Sequence, residues 1–174
     1  MKVINLFGGP GTGKSTTAAG LFHIMKLQKM ECELVTEYAK DLVWAGRFPM
    51  LSEQDYIFAK QNHRLRRLIG KVDWVITDSP LILGNFYIKD DFPGRVHFCN
   101  FIQDVYASYD NVNIFLRRVK QYNPNGRTQT EEEATEIDKE ILKYLISRNM
   151  PYTIIDADKD AHTKILEMIL SNNV

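Results

Sequence analysis

Short apolar runs alternate along the chain with longer stretches in which apolar residues recur three and four positions apart, the respective patterns of strands and helices. Val3 to Phe7 reads as a short buried strand. From Lys14 towards Lys29, Ala18, Leu21, Phe22, Met25 and Leu27 fall on and near one face, the spacing of a helix packed on a sheet, with His23 a partly exposed packing residue. Glu31 to Thr36 predicts a second strand, ending at Glu37-Tyr38-Ala39-Lys40. Beyond a loop through Gly46, Phe48 and Pro49, Ser52-Glu53-Gln54-Asp55 predicts a helix-starting capping box and Tyr56 to Ile69 a long amphipathic helix. Val72 to Asp78 is a strongly apolar strand terminated by a carboxylate, and Ser79-Pro80 turns the chain away.

The next stretch, Leu81 to Phe101, is the least periodic and is rich in aromatics and turn residues; Arg95 and His97 within it receive no role. A helix around Asn100 to Tyr109 and a buried strand from Val112 to Leu116 follow, the latter running into Arg117-Arg118. Lys120 to Thr130 is polar and turn-forming, and Thr130-Glu131-Glu132-Glu133 predicts a capping box with carboxylates suited to the helix dipole. That helix reaches about Asn149 and is succeeded by a strand, Pro151 to Asp156, a loop through Asp160 and a closing helix, Ala161 to Leu170. Strands alternating with helices at this spacing predict an α/β fold with a parallel sheet of about five strands and helices on both faces. Right-handed crossovers place ligands at the C-terminal strand ends, where Gly8 to Ser15, Glu37 and Asp78 all fall. The 174 residues suit a single domain, and neither a repeat nor a low-complexity linker interrupts them.

The candidate chemistry centres on the stretch between the first strand and the first helix, Gly8-Gly9-Pro10-Gly11-Thr12-Gly13-Lys14-Ser15-Thr16. It meets the spacing G-x-x-x-x-G-K-S, the phosphate-cradling P-loop, in its required context of strand, glycine loop and helix. Lys14 is expected to reach the β- and γ-phosphates of ATP, and the Ser15 hydroxyl to sit on Mg²⁺. Asp78, ending a neighbouring strand, is the natural partner of Ser15 at the metal, although a strand-end Asp also serves as a turn former or helix cap.

Charge and cysteine content narrow the partners. Lys plus Arg number 22 and Asp plus Glu 22, so no global field holds a polyanion, and nucleic acid is unsupported by net charge. Cys32 and Cys99 lack any metal-binding spacing, which suggests a reducing interior. With no signal-peptide pattern and no run of membrane-spanning length, the expectation is a soluble cytoplasmic protein, monomer or homodimer.

A P-loop does not say what becomes of the γ-phosphate. A guanine-nucleotide switch would need N-K-x-D, which is missing, and a mechanical ATPase would normally bring a longer chain. A phosphotransferase needs a water-excluding lid, arginines for transition-state charge and a carboxylate near the acceptor hydroxyl. The segment from Arg117 to about Thr130 fits a lid, with Arg117, Arg118 and Arg127 as cations, while Glu37 sits where it could take the acceptor's proton. Solvated strand-end arginines and an ordinary helix-start glutamate are the competing readings.

Gly8 to Thr16, Glu37-Tyr38-Ala39-Lys40-Asp41, Leu51 with Asp55 and Gln61, and Val75-Ile76-Thr77-Asp78 together resemble the small P-loop kinases related to the ribosylnicotinamide kinase domain of a bifunctional bacterial NAD-biosynthesis regulator. AAA-like ATP-binding proteins of this sort are common in bacteriophage genomes, in which case the cytoplasm would be the host's. Phe115 to Arg118, Gly126-Arg127 before Thr130 to Glu133, and Ile155-Asp156-Ala157-Asp158 are similar in layout to deoxynucleoside and thymidylate kinases. The resemblance implies that Glu37 is the acceptor-side base, that Asp78 assists Mg²⁺, and that Arg127 with Arg117 or Arg118 clamps phosphate. It also implies that Tyr38, Asp55 and Gln61 line the acceptor pocket and that Asp156, Ala157 and Asp158 form the loop holding adenine. Thr77-Asp78-Ser79-Pro80 departs from the Glu-Arg-Ser of deoxynucleoside kinases, and the Asp-Gly-x-Pro-Arg element of many nucleoside monophosphate kinases is missing. The acceptor therefore stays open among nucleoside-, nucleotide- and ribosylnicotinamide-like molecules, with a modified base in DNA, or a regulatory ATPase module without acceptor, as alternatives.

Overall fold

The computed structural model of the chain describes residues 1–119 and 130–171. Among these, strands β1 (Lys2–Phe7), β2 (Cys32–Val35), β3 (Trp74–Thr77), β4 (Asp110–Arg117) and β5 (Thr153–Asp156) form one sheet in the order β2-β3-β1-β4-β5. Every pairing is parallel. The helices are α1 (Lys14–Leu27), α2 (Tyr38–Trp44), α3 (Gln54–Arg66), the short α4 (Gly84–Tyr87), α5 (Arg95–Ala107), α6 (Glu131–Ser147) and α7 (Ala161–Leu170).

Strand alternation divides the core in two. Ile4 and Leu6 of β1 join Ile76, Ile114 and Leu116 beneath α1 and α7 on one face. Val3 and Phe7 join Val75 and Phe115 on the other, where α3, α5 and α6 contribute Phe58, Leu65, Ile102, Ile141 and Leu145. Each such aliphatic residue, withdrawn fully from water, contributes about 1.5–3 kcal/mol. One polar side chain interrupts the central strand: Asn5 is buried and donates to Asn111 Oδ1 at 2.9 Å and to Asn113 Oδ1 at 3.1 Å. These bonds favour the register that sets Asn5 opposite Asn113, because a slip would leave buried amide groups without partners.

Three local expectations are corrected. The Ser52 capping box does not form: Phe48–Ser52 is a 3-10 turn in which Ser52 Oγ donates to the Pro49 carbonyl at 2.8 Å, and α3 starts without a side-chain cap. Leu27, read as part of the packed face of α1, is 70 % exposed, because it lies off the stripe made by Ala18, Leu21 and Met25. The irregular stretch contains more helix than its sequence suggests. Gly94, at φ 70°, turns the chain so that α5 begins at Arg95, and Phe98 of α5 stacks on Phe92 and meets Phe58 edge to face. The Thr130 capping box does form, with Thr130 and Glu133 bonded reciprocally. Among the described residues no helix is long and apolar enough to cross a membrane.

Candidate active site

The C-terminal ends of β1, β2 and β3 bring the glycine loop, Glu37 and Asp78 together. In the loop, Gly8, Gly11 and Gly13 adopt φ of 144°, 77° and 105°, left-handed conformations that side chains resist. Gly9 is a glycine for a different reason: a Cβ there would lie 2.7 Å from the Ala134 carbonyl and 2.8 Å from Asp138 Oδ1. Thr12 Oγ1 donates to Gly9 O at 2.6 Å and closes the loop on itself. The N-terminus of α1 follows, with Gly13 as N-cap, no side-chain cap and no acidic residue in its first turn, which leaves backbone N–H groups and the dipole to an anion. Lys14 folds back so that Nζ donates to Gly8 O at 2.7 Å and Gly9 O at 2.9 Å. Burial pulls the Lys14 ammonium below its ordinary pKa, against the opposing pull of Glu37, Asp78 and Asp138. Thr16 is exposed on the first turn of α1.

Asp78 joins the two halves of the site. β3 lies between β1 and β2, so the residue after it faces both of their ends. One carboxylate oxygen accepts from Ser15 Oγ at 2.5 Å and the other from the Glu37 N–H at 3.1 Å. Glu37 is the N-cap of α2, yet its side chain makes no capping hydrogen bond. Burial raises its pKa above the ordinary carboxylate value; the nearby Asp78 adds to the rise and Lys14 opposes it.

Next to Glu37, Gln61 is buried and braces the start of α2, accepting the Tyr38 N–H at 2.9 Å and donating to Thr36 O at 3.3 Å. The Tyr38 and Tyr56 hydroxyls are 2.9 Å apart, and the Arg64 guanidinium lies over the Tyr38 ring while pairing with Asp41. Tyr87 of α4 is about half exposed; the part of it withdrawn from water pushes its phenol up to about 12, and the negative charge of Glu37 contributes. Nothing in the sequence distinguishes it from the other aromatics of that stretch. Asp55 lies elsewhere, exposed on another side of α3 in a groove of about 320 Å³ with His63, Arg66 and Phe101.

The arginines after β4 part company. Arg117 is exposed and pairs with Asp156 at 2.6 Å across the β4–β5 register. Arg118 is nearly buried and turns to the glycine loop, donating to Pro10 O at 2.8 Å and to Asp138 Oδ2 at 2.9 Å. Asp158 pairs with Lys164 at 2.6 Å, and the Ala157 N–H donates to Arg117 O at 2.9 Å. The expected lid begins at Arg117, which instead ends β4; its residues 120–129, Arg127 among them, lie outside the described residues.

A glycine loop between the central strand and the first helix of a five-stranded parallel sheet, with a lysine in the loop and a strand-end carboxylate on its serine, defines a P-loop protein of the α/β class. The chain belongs to the AAA domain family, whose model matches residues 3–161. Its fold is similar to that of the NadR protein solved in complex with NR, with a TM-score of 0.71 and 16 % identity, over 99 % of this chain and 52 % of that one. The chain thus spans about half the length of NadR. It is also similar to deoxyadenosine kinase from M. mycoides with bound dATP, with a TM-score of 0.57 and 18 % identity, over the full length of both chains. No match to the sequence is found among curated proteins.

Proposed function

We propose that the protein is an ATP-dependent phosphotransferase that moves the γ-phosphoryl group to a nucleoside-, nucleotide- or ribosylnicotinamide-like small molecule. The observation that carries this reading is the placement of Glu37. Its backbone N–H is tied to the same carboxylate that accepts from Ser15, while its own carboxylate is not spent on capping α2. An acceptor hydroxyl at Glu37 would lie beside the phosphates held by the loop, the proximity that in-line transfer requires. The raised pKa of Glu37 makes it a stronger base than an ordinary carboxylate for taking that proton.

In this reading the N–H groups of Gly11 to Ser15 cradle phosphate oxygens, and Lys14 leaves the loop carbonyls for the β- and γ-phosphates. Ser15 and Asp78 present only oxygen donors, the set a hard cation such as Mg²⁺ accepts, and they would hold it. When bound, Mg²⁺ supplies charge that offsets the phosphate oxygens. Tyr38, whose N–H Gln61 accepts, would flank the acceptor.

The test is a γ-labelled ATP transfer screen with Mg²⁺ against nucleosides, nucleoside monophosphates, ribosylnicotinamide and DNA carrying modified bases. Label moving to one acceptor, and failing to move with Lys14→Ala, supports the proposal. Slow phosphate release that no acceptor accelerates would replace it with a regulatory ATPase.

A further inference from the structure

The first half of the glycine loop is held from outside by one side chain of α6. Asp138 Oδ1 accepts the Gly9 N–H at 2.5 Å, Asp138 Oδ2 accepts Arg118 Nε at 2.9 Å, and Arg118 in turn donates to Pro10 O at 2.8 Å. The carboxylate and the guanidinium are 13 % and 12 % exposed, so these contacts are largely shielded from water. α6 is itself fixed, with its N-terminus closed by the Thr130 capping box and Ile141 and Leu145 set in the core. The missing side chain at Gly9 lets the loop approach the Ala134 carbonyl closely enough for the Asp138 bond.

We infer that Asp138 is a positioning residue for phosphate binding: with Arg118 it anchors Gly9 and Pro10 to α6, so that the N–H groups from Gly11 onward are already aimed when the nucleotide arrives. The inference rests on the reading of the loop as the ATP phosphate site. It assigns Arg118 to holding the loop rather than to clamping phosphate.

Electrostatics and positioning predict opposite signs at this residue. Asp138 is close enough to Lys14 to favour its charged form, and therefore close enough to repel an incoming triphosphate. If Asp138 acted only through its charge, neutralising it would tighten phosphate binding. If it is a strut, Asp138→Asn turns an amide N–H₂ or a single acceptor towards two donors, frees the loop and weakens binding.

The experiment measures dissociation constants for ATP and for inorganic tripolyphosphate, both with Mg²⁺, in the wild type, Asp138→Asn, Arg118→Lys and the double variant. Melting curves for each protein exclude unfolding. The expected result is a loss of about tenfold for both ligands in Asp138→Asn, a smaller loss in Arg118→Lys, and a double variant well short of the product, because both changes break one connection. Arg118→Lys keeps the charge and carries the test if Asp138→Asn does not fold. Unchanged or tighter binding in folded Asp138→Asn, or fully additive losses, would overturn the inference. Failure of the wild type to bind either ligand would instead sink the phosphate-site reading itself.

Discussion

In the proposed function the phosphate side of the site comes from one continuous stretch, Gly8 to Thr16, whereas the proposed acceptor side gathers Glu37 and Tyr38 from the start of α2 and Gln61 from α3. On the first side the working groups are backbone N–H groups, whose direction follows from glycine conformations and from the helix that comes next. On the second they are side chains whose placement depends on how separate helices pack. Asp78 belongs to both, because β3 runs between the strands that carry them. A change on the phosphate side should therefore act on every substrate, and one on the acceptor side should spare ATP.

The largest effect expected is that of Lys14→Ala. The side chain bonds only loop carbonyls on this side, at 2.7 and 2.9 Å, so the fold should survive its loss. Removing a positioned cation from the transferring phosphate should slow transfer by about 10³-fold. The check is labelled-phosphate transfer alongside thermal melting, and normal turnover would dissolve the distinction between the two sides. Glu37→Gln should lower kcat by about 10²-fold or more with little change in ATP affinity. Because burial raises the Glu37 pKa, the acid limb of the wild-type kcat/KM profile should lie above the ordinary carboxylate range, and the variant should lose that limb. A profile flat through that range would remove Glu37 as the base.

What the sequence makes legible follows the same division. Gly8 to Ser15 and Asp78 can be read directly, because glycine spacing, the apolar strand and the terminal carboxylate are local signals that packing does not alter. The Thr130 capping box is local too, and it forms. Ser52 looks equally good as a cap, but Pro49 draws the preceding residues into a 3-10 turn that takes its hydroxyl. Asp138 has no signature at all: it is one acid among many on a charged helix, and only the close approach of Gly9 to α6 makes it special. Tyr87 is hidden for a related reason, since nothing local distinguishes it from its neighbour Phe86, and its relation to Glu37 arises from tertiary packing.

A smaller and more selective effect is expected at Gln61. Its amide supplies the acceptor for the Tyr38 N–H, and it is buried to 3 % exposure, so Gln61→Leu leaves that donor without its partner. The cost should be about 1–3 kcal/mol in stability. Acceptor KM should rise while ATP KM stays put, measured once the acceptor is identified. An equal rise in both would mean that α2 and the glycine loop move as one body and that the two sides are not separate.

The smallest effect expected has the opposite sign. The folded protein holds the Glu37 proton more tightly than the unfolded chain does, because burial disfavours its carboxylate. Linkage then requires stability to fall as pH rises from the unfolded pKa through the folded one, and the loss persists at neutral pH. Glu37→Gln carries no such charge and should therefore melt slightly higher than the wild type at neutral pH, with the difference closing below the ordinary carboxylate pKa. Melting temperatures of both proteins across that range provide the check. A gap that widens on acidification would mean that Glu37 is stabilised as an anion, chiefly by Lys14, and is a structural ion-pair partner. A gap that closes would mean that the fold tolerates a buried, destabilising base beside its phosphate site, the trade of stability for reactivity expected where a proton must be taken.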